Sequence, residues 1–230
     1  LNHELGEIVV PVKMPDMKGL LTKDFLTLKK KYGIVRVIID LAIIITLMIV
    51  LESAAPIYIC FLLLPLEITS MIISLTTCDE EWRWDKFAIS LPITKTSIVK
   101  SRYLLSGILS FIGLIISILV NTISYFCFPK YKYGFYLFIA FASFAVILLF
   151  LAFILPSTYS LGVNAGFAIM IVLLAILLVL GFWSKLTNNS IMWFVVDNFE
   201  FCTFIGFLSS IAIYILSYIL SINFFKKKHI

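Results

Sequence analysis

Charge is the commodity this chain has least of. Only 13% of its 230 residues are Asp, Glu, Lys or Arg, against 62% hydrophobic residues. A soluble globular domain carries about a quarter charged residues, so this chain cannot cover its surface in water. Histidine is nearly absent: His3 and His229 stand at the two ends. That excludes a Ser–His dyad or a histidine-held metal inside the apolar body. The cysteines Cys60, Cys78, Cys127 and Cys202 are scattered, with no C-x-x-C and no neighbouring histidine, which excludes ordinary zinc patterns. They read as small apolar packing residues, with a Cys127–Cys202 disulfide as the alternative. No G-x-x-x-x-G-K-[ST] occurs, so the chain has no P-loop and any ATP belongs to another subunit. Glu80-Glu81 lacks the membrane histidines that a glutamate-type intramembrane protease requires. The chain is therefore read as no enzyme, with no cofactor or metal of its own. The net charge of +5 does not signal nucleic acid, because no basic patch interleaves with an aromatic surface.

What the chain has is long apolar runs without period-two alternation. Apolar runs of 18 or more residues span membranes, and in lipid only helices and closed barrels satisfy the backbone. The reading is an all-α integral membrane protein with six spans, at about 34–51, 57–75, 103–128, 135–155, 162–183 and 201–225. Pro129 and Pro156 are expected to close the third and fourth. Residues 1–16 lack a signal peptide's apolar core and cleavage site and read as an extension or an expression remnant, with Met17-Lys-Gly as a natural start. Residues 17–33 are amphipathic: Leu21, Phe25 and Leu28 fall at helical spacing, and lysines lie elsewhere. Such a helix lies in the membrane interface. With the N-terminus inside, fifteen of the 18 Lys and Arg residues fall on cytoplasmic segments, including the basic tail 226–230, and three on outer loops. This positive-inside bias puts both termini in the cytoplasm of a multi-pass cell-membrane protein.

The stretch 76–102 is a charged island between apolar runs. It carries five basic residues and the acids Asp79, Glu80, Glu81 and Asp85. Thr77-Cys-Asp-Glu80 fits a capping box, which predicts a helix start there and a helix running to Ser90, broken at Leu91-Pro92. Trp82, Trp84 and Phe87 supply interfacial aromatics. Thr94 or Thr96 caps the helix that re-enters the membrane. A rigid helix fixed to two spans can transmit force from a motor outside this chain.

The opening Met17-Lys-Gly-Leu-Leu-Thr-Lys-Asp-Phe and the run Glu81 to Tyr103, with Ser-Leu-Pro-Ile-Thr-Lys-Thr-x-Ile-Val-Lys-Ser-Arg-Tyr-Leu, resemble the membrane subunits of type-two ABC exporters. The likeness is greatest to small Gram-positive permeases for bacteriocins, lantibiotics or phenol-soluble modulins. The resemblance implies an elbow helix at 17–33, and a coupling helix between spans 2 and 3 that docks on a separate ATPase, which binds ATP and Mg. It also implies a second permease subunit, homo- or heterodimeric, a peptide or other amphipathic substrate, and a re-entrant outer segment at 184–200. By position Asp79, Glu80, Glu81, Trp82, Arg83, Trp84, Asp85, Lys86 and Phe87 fall in the coupling helix.

Within the spans, Glu67, Asn121 and Asn164 are the candidate translocation-path residues, each with a buried polar strut as the alternative. A mid-span carboxylate costs at least about 2.5–3.5 kcal/mol, so Glu67 must pair, be protonated or face a cavity. Arg36 and Asp40, four apart, read as a structural pair. Gly162-x-x-x-Gly166 and Gly113-x-x-x-Ser117 permit close helix approach within the subunit. Two other readings stand beside the exporter: a proton-coupled secondary transporter using Glu67, and a non-transporting membrane immunity protein.

Overall fold

The computed structural model describes residues 17–84, 87–88, 94–186 and 198–228. The expected extension 1–16, the expected break at Leu91-Pro92 and most of the expected outer segment 184–200 lie outside the described residues. Every regular element among those described is helical. In order they are α1 (Met17–Lys31), α2 (Ile34–Leu51), α3 (Ala55–Tyr58), a π turn (Ile59–Leu63), α4 (Leu64–Glu81), α5 (Lys95–Cys127), α6 (Tyr133–Leu161), α7 (Val163–Leu186) and α8 (Phe199–Lys228). Among the described residues five helical segments are long and apolar enough to cross a membrane: Ile34–Glu81, Lys95–Cys127, Tyr133–Leu161, Val163–Leu180 and Glu200–Lys227.

The first of these is bent in the middle. Glu52 adopts φ +46°, a short 3-10 turn covers Glu52–Ala54, and Pro56 occupies the first turn of α3, where a missing N–H costs nothing. The two arms then meet. Arg36 Nη2 lies 2.6 Å from Glu67 Oε1, although 31 residues of straight helix would separate them by about 46 Å. The chain therefore folds back at Glu52. Just before Pro65 the π turn widens the helix, at the place where the proline withholds its N–H from the Phe61 carbonyl.

Pro156 does not end the fourth apolar helix. It sits inside α6, which continues to Leu161. A proline removes one hydrogen bond, here the one to the Ala152 carbonyl, and crowds the preceding turn, but the helix packs against four others that hold it in place, and the Ser157 and Thr158 hydroxyls bond to the Ile154 and Leu155 carbonyls at 2.6 and 2.8 Å. Neighbouring hydroxyls and packed helices commonly carry a helix past a proline in this setting. The stop is Gly162 at φ +92°, the single residue between α6 and α7.

Helix α6 forms the centre of the bundle and packs against α8, α5, α7 and α4. Ile147, Leu151 and Leu155 on α6 are fully buried, as are Ile72 and Ile73 on α4. Both small-residue motifs make close contacts inside the chain. A side chain at Gly113 would run into Ile68 and Ile147, and one at Gly166 would meet Thr158 at 2.6 Å. By contrast α2 has no buried residue, and most of the described side chains of α7 are exposed.

The contacts place six element ends at one end of the bundle. Lys23 of α1 and Arg102 of α5 both pair with Asp79 of α4. Tyr159 of α6 meets Phe225 of α8 edge to face, and Val163 of α7 bonds to Glu80 of α4. Lysine-rich α1 and the lysines ending α8 therefore lie at the same end.

Candidate functional site: a charged hub at one end of the bundle

Helix α4 runs straight through the position where the capping box predicts a new helix. Thr76 and Thr77 donate their hydroxyls back to the carbonyls of Ile72 and Ile73, at 3.1 and 3.0 Å. The N–H groups a cap would satisfy are already engaged in a running helix, so Thr77 has nothing to cap. The helix ends at Glu81. The Trp82 N–H bonds to the Cys78 carbonyl at 3.0 Å and the Arg83 N–H to that of Glu80 at 3.1 Å. Arg83 sits at φ +50°, which turns the chain at a cost of about 1–2 kcal/mol for an L-residue. Trp84 follows, and Phe87 and Ala88 are again helical. Thr94 does cap α5: its Oγ1 accepts from the Ser97 N–H at 3.2 Å.

The final turn of α4 carries Asp79 into a four-charge cluster. Lys23 Nζ donates to Asp79 Oδ1 at 2.7 Å and lies 3.0 Å from Asp24 Oδ1. Arg102 donates to Asp79 Oδ2 and stands 3.6 Å from Asp24. The side chains of Asp24, Arg102 and Asp79 are only 3%, 8% and 12% exposed. Two cations and two anions balance, which is the condition under which buried charge is tolerated. Lys23 also lies over the Trp84 ring, 4.3 Å from its centre, so the turn after α4 is held to α1 by a cation–π contact. Lys23, Asp24, Asp79, Arg102, Thr158 and Tyr159 enclose a cavity of about 30 Å³. That admits water but not an organic ligand; the cluster links α1, α4 and α5.

Glu80 makes a second joint. Its Oε1 accepts from the Val163 N–H at 3.1 Å, placing a carboxylate at the positive end of α7. Consecutive residues of α4 thus engage α1 and α5 through Asp79, and the α6–α7 junction through Glu80.

The other residues singled out in this stretch face outward. Glu81, Trp82, Arg83 and Phe87 are exposed, Trp84 is half-buried, and Asp85 and Lys86 lie outside the described residues. The three candidate path residues occupy different levels. Glu67 pairs with Arg36, which also lies 3.3 Å from Asp40. Asn121 is buried in a polar knot, donating to Cys60 Sγ at 3.1 Å and the Ser117 carbonyl at 2.8 Å, with Ser143 bonded to Ser117. Asn164 is exposed in the first turn of α7, beside the Glu80 contact. Thirteen residues of helix, about 20 Å, separate Glu67 from Glu80. All four cysteines are free thiols.

Sequence reasoning missed Asp24 and Arg102. The face of α1 that turns inward is Leu20–Asp24–Leu28, while Phe25 is exposed. The signal was available: an acid at i+4 from one leucine and i−4 from another, in an otherwise basic helix. Its partner lies 78 positions on, beyond the reach of local spacing. A search of curated proteins and one of solved structures returned no match. The model of a family described as ABC-2 family transporter protein matches residues 19–226, nearly the whole chain, and the chain accordingly belongs to that family and is a transmembrane ABC transporter subunit.

Proposed function

We propose that this chain is the permease half of an exporter, paired with a second permease subunit and driven by a separate ATPase that docks on the turn after α4. The observation that carries this is the pair Asp79 and Glu80, which ties the exposed segment Trp82–Arg83 to α1, α5 and α7. A push on that segment reaches three helices without passing through a flexible link. The exposed aromatics Trp82 and Phe87 supply anchors of the kind that dominate docking energetics. The membrane body makes six crossings, since Ile34–Glu81 doubles back at Glu52. Both ends of the chain are cytoplasmic, with the lysine-rich end inside. Helix α1 is the interfacial elbow. The unburied face of α2 meets the second permease or lipid. The cargo is an amphipathic peptide, and the host membrane that of a Gram-positive bacterium. Glu67 has its charge matched by Arg36, the arrangement of a strut rather than of a proton carrier.

The test is co-purification with the cognate ATPase. Trp82→Ala together with Phe87→Ala weakens assembly about tenfold or more and removes ATPase stimulation, while the permease alone still elutes as a folded protein. Unchanged assembly and stimulation would contradict the docking site.

A further inference from the structure

We propose that the groove between α5 and α8 binds one anionic phospholipid, its acyl chain along the groove and its phosphate between Lys100 and Lys226. The groove has a volume of about 580 Å³ and is lined on α5 by Lys100, Leu104, Gly107, Ile108, Phe111 and Ile112. These positions repeat at i, i+4, i+7, i+8, i+11 and i+12, one continuous helical face. From Lys100 to Ile112 the face runs about 18 Å, close to one leaflet of a hydrocarbon core about 30 Å thick. The groove is therefore one acyl chain deep, with a cation at its mouth.

The far wall is α8, through Tyr214, Ile215 and Tyr218. Lys226 lies eleven residues beyond Ile215, about three helical turns, and so on the same face. Helices α5 and α8 run antiparallel, with Tyr103 against Ser217 and Ser221. That register puts Lys100 and Lys226 within about one turn of each other along the bundle axis. Both are exposed, and neither forms an ion pair among the described residues.

The walls argue for a hydrocarbon occupant. The Tyr103 hydroxyl is engaged by Ser217 and Ser221 at 2.6 and 2.7 Å. The Tyr214 hydroxyl is engaged by Ser106 at 2.5 Å and the Tyr103 carbonyl at 2.8 Å. With these groups satisfied inside the protein, the tyrosines offer the groove mainly ring carbon. A peptide backbone there would forfeit its hydrogen bonds at several kcal/mol per group; an acyl chain forfeits none. A second copy docked by two-fold symmetry would set its own lysines at the same membrane depth, like charge near like. An anionic headgroup complements them. At Gly107 an added Cβ would meet nothing within 4 Å, so the floor of the groove is left open at mid-length.

The lipid assignment holds for whichever leaflet faces the lysine-rich end; only the name of that leaflet rests on the orientation proposed above. Its test uses the full chain in vesicles of equimolar phosphatidylcholine and phosphatidylglycerol, doped with phosphatidylglycerol or phosphatidylcholine carrying a photoactivatable acyl chain. Peptides spanning 100–112 and 214–226 are labelled by the phosphatidylglycerol probe in preference to the phosphatidylcholine probe. Lys100→Glu and Lys226→Glu each lower that labelling about fivefold. Gly107→Leu removes labelling of the groove by both probes while adding a better helix former, and its elution profile reports that the fold is kept. Equal labelling by the two probes, insensitive to the lysines, would mean ordinary boundary lipid and overturn the proposal. So would full labelling in Gly107→Leu, or a Gly107→Cys variant that cross-links to a second copy.

Discussion

Asp79→Ala lowers the apparent unfolding temperature of the purified chain by on the order of 10 °C. The carboxylate removed is the one that bonds both Lys23 and Arg102. What remains is a guanidinium 8% exposed with Asp24, 3.6 Å away, as its one carboxylate among the described residues. Breaking a buried pair from one side costs about 3–5 kcal/mol, because the surviving charge stays buried and uncompensated. Removing both sides costs far less, so Asp79→Ala with Arg102→Leu regains most of the loss, leaving Lys23 and Asp24 balanced. Glu81→Ala, two residues away and exposed, shifts the temperature little. Fluorescence-detected gel filtration after heating reads all three. Equal midpoints for Asp79→Ala and Glu81→Ala would show that the four-charge cluster holds nothing together.

Gly162→Ala and Glu80→Ala, the second large effect, separate stability from coupling. Gly162 adopts φ +92° with ψ near 180°, a region essentially reserved for glycine, and a side chain there costs about 1–3 kcal/mol. Its Cβ would also stand 3.3 Å from Glu80 Oε1, pressing on the acceptor of the Val163 bond. Gly162→Ala therefore lowers both the unfolding temperature and transport. Glu80→Ala leaves the backbone unstrained and removes the link from α4 to α7. We expect assembly with the ATPase to persist, and transport per ATP hydrolysed to fall about tenfold, the share of one charge-assisted hydrogen bond. Glu80→Gln, which keeps an acceptor oxygen, retains part of the coupling. Transport unaffected by Glu80→Ala would mean that force reaches α7 by another route.

The helices were legible because their cause is local: an apolar run in lipid must bond its own backbone. Their ends were less so. Pro156 is a breaker in water, yet here the helix is packed against four others and continues past it. Thr77 and Glu80 have capping-box spacing but stand in the last turns of a helix already running, which a four-residue pattern cannot reveal. Arg36–Asp40 was readable as an i,i+4 pair, whereas Arg36–Glu67 depends on the reversal at Glu52. The hub was half legible. Asp79 and Glu80 were marked by the charged island, while Asp24 and Arg102 acquire their meaning only when α1 and α5 are laid against α4. A buried charge declares itself through its partner, and these partners are distant in sequence.

The measurement that bears most directly on the account is the sidedness of the turn after α4. In a cysteine-free background, Trp82→Cys is exposed to a membrane-impermeant maleimide in intact cells and in inside-out vesicles. The account predicts labelling in the vesicles and none in intact cells, with a cysteine placed at Tyr131 behaving in the opposite way. Labelling of position 82 in intact cells would put the hub outside, beyond reach of an ATPase, and contradict the proposed mechanism.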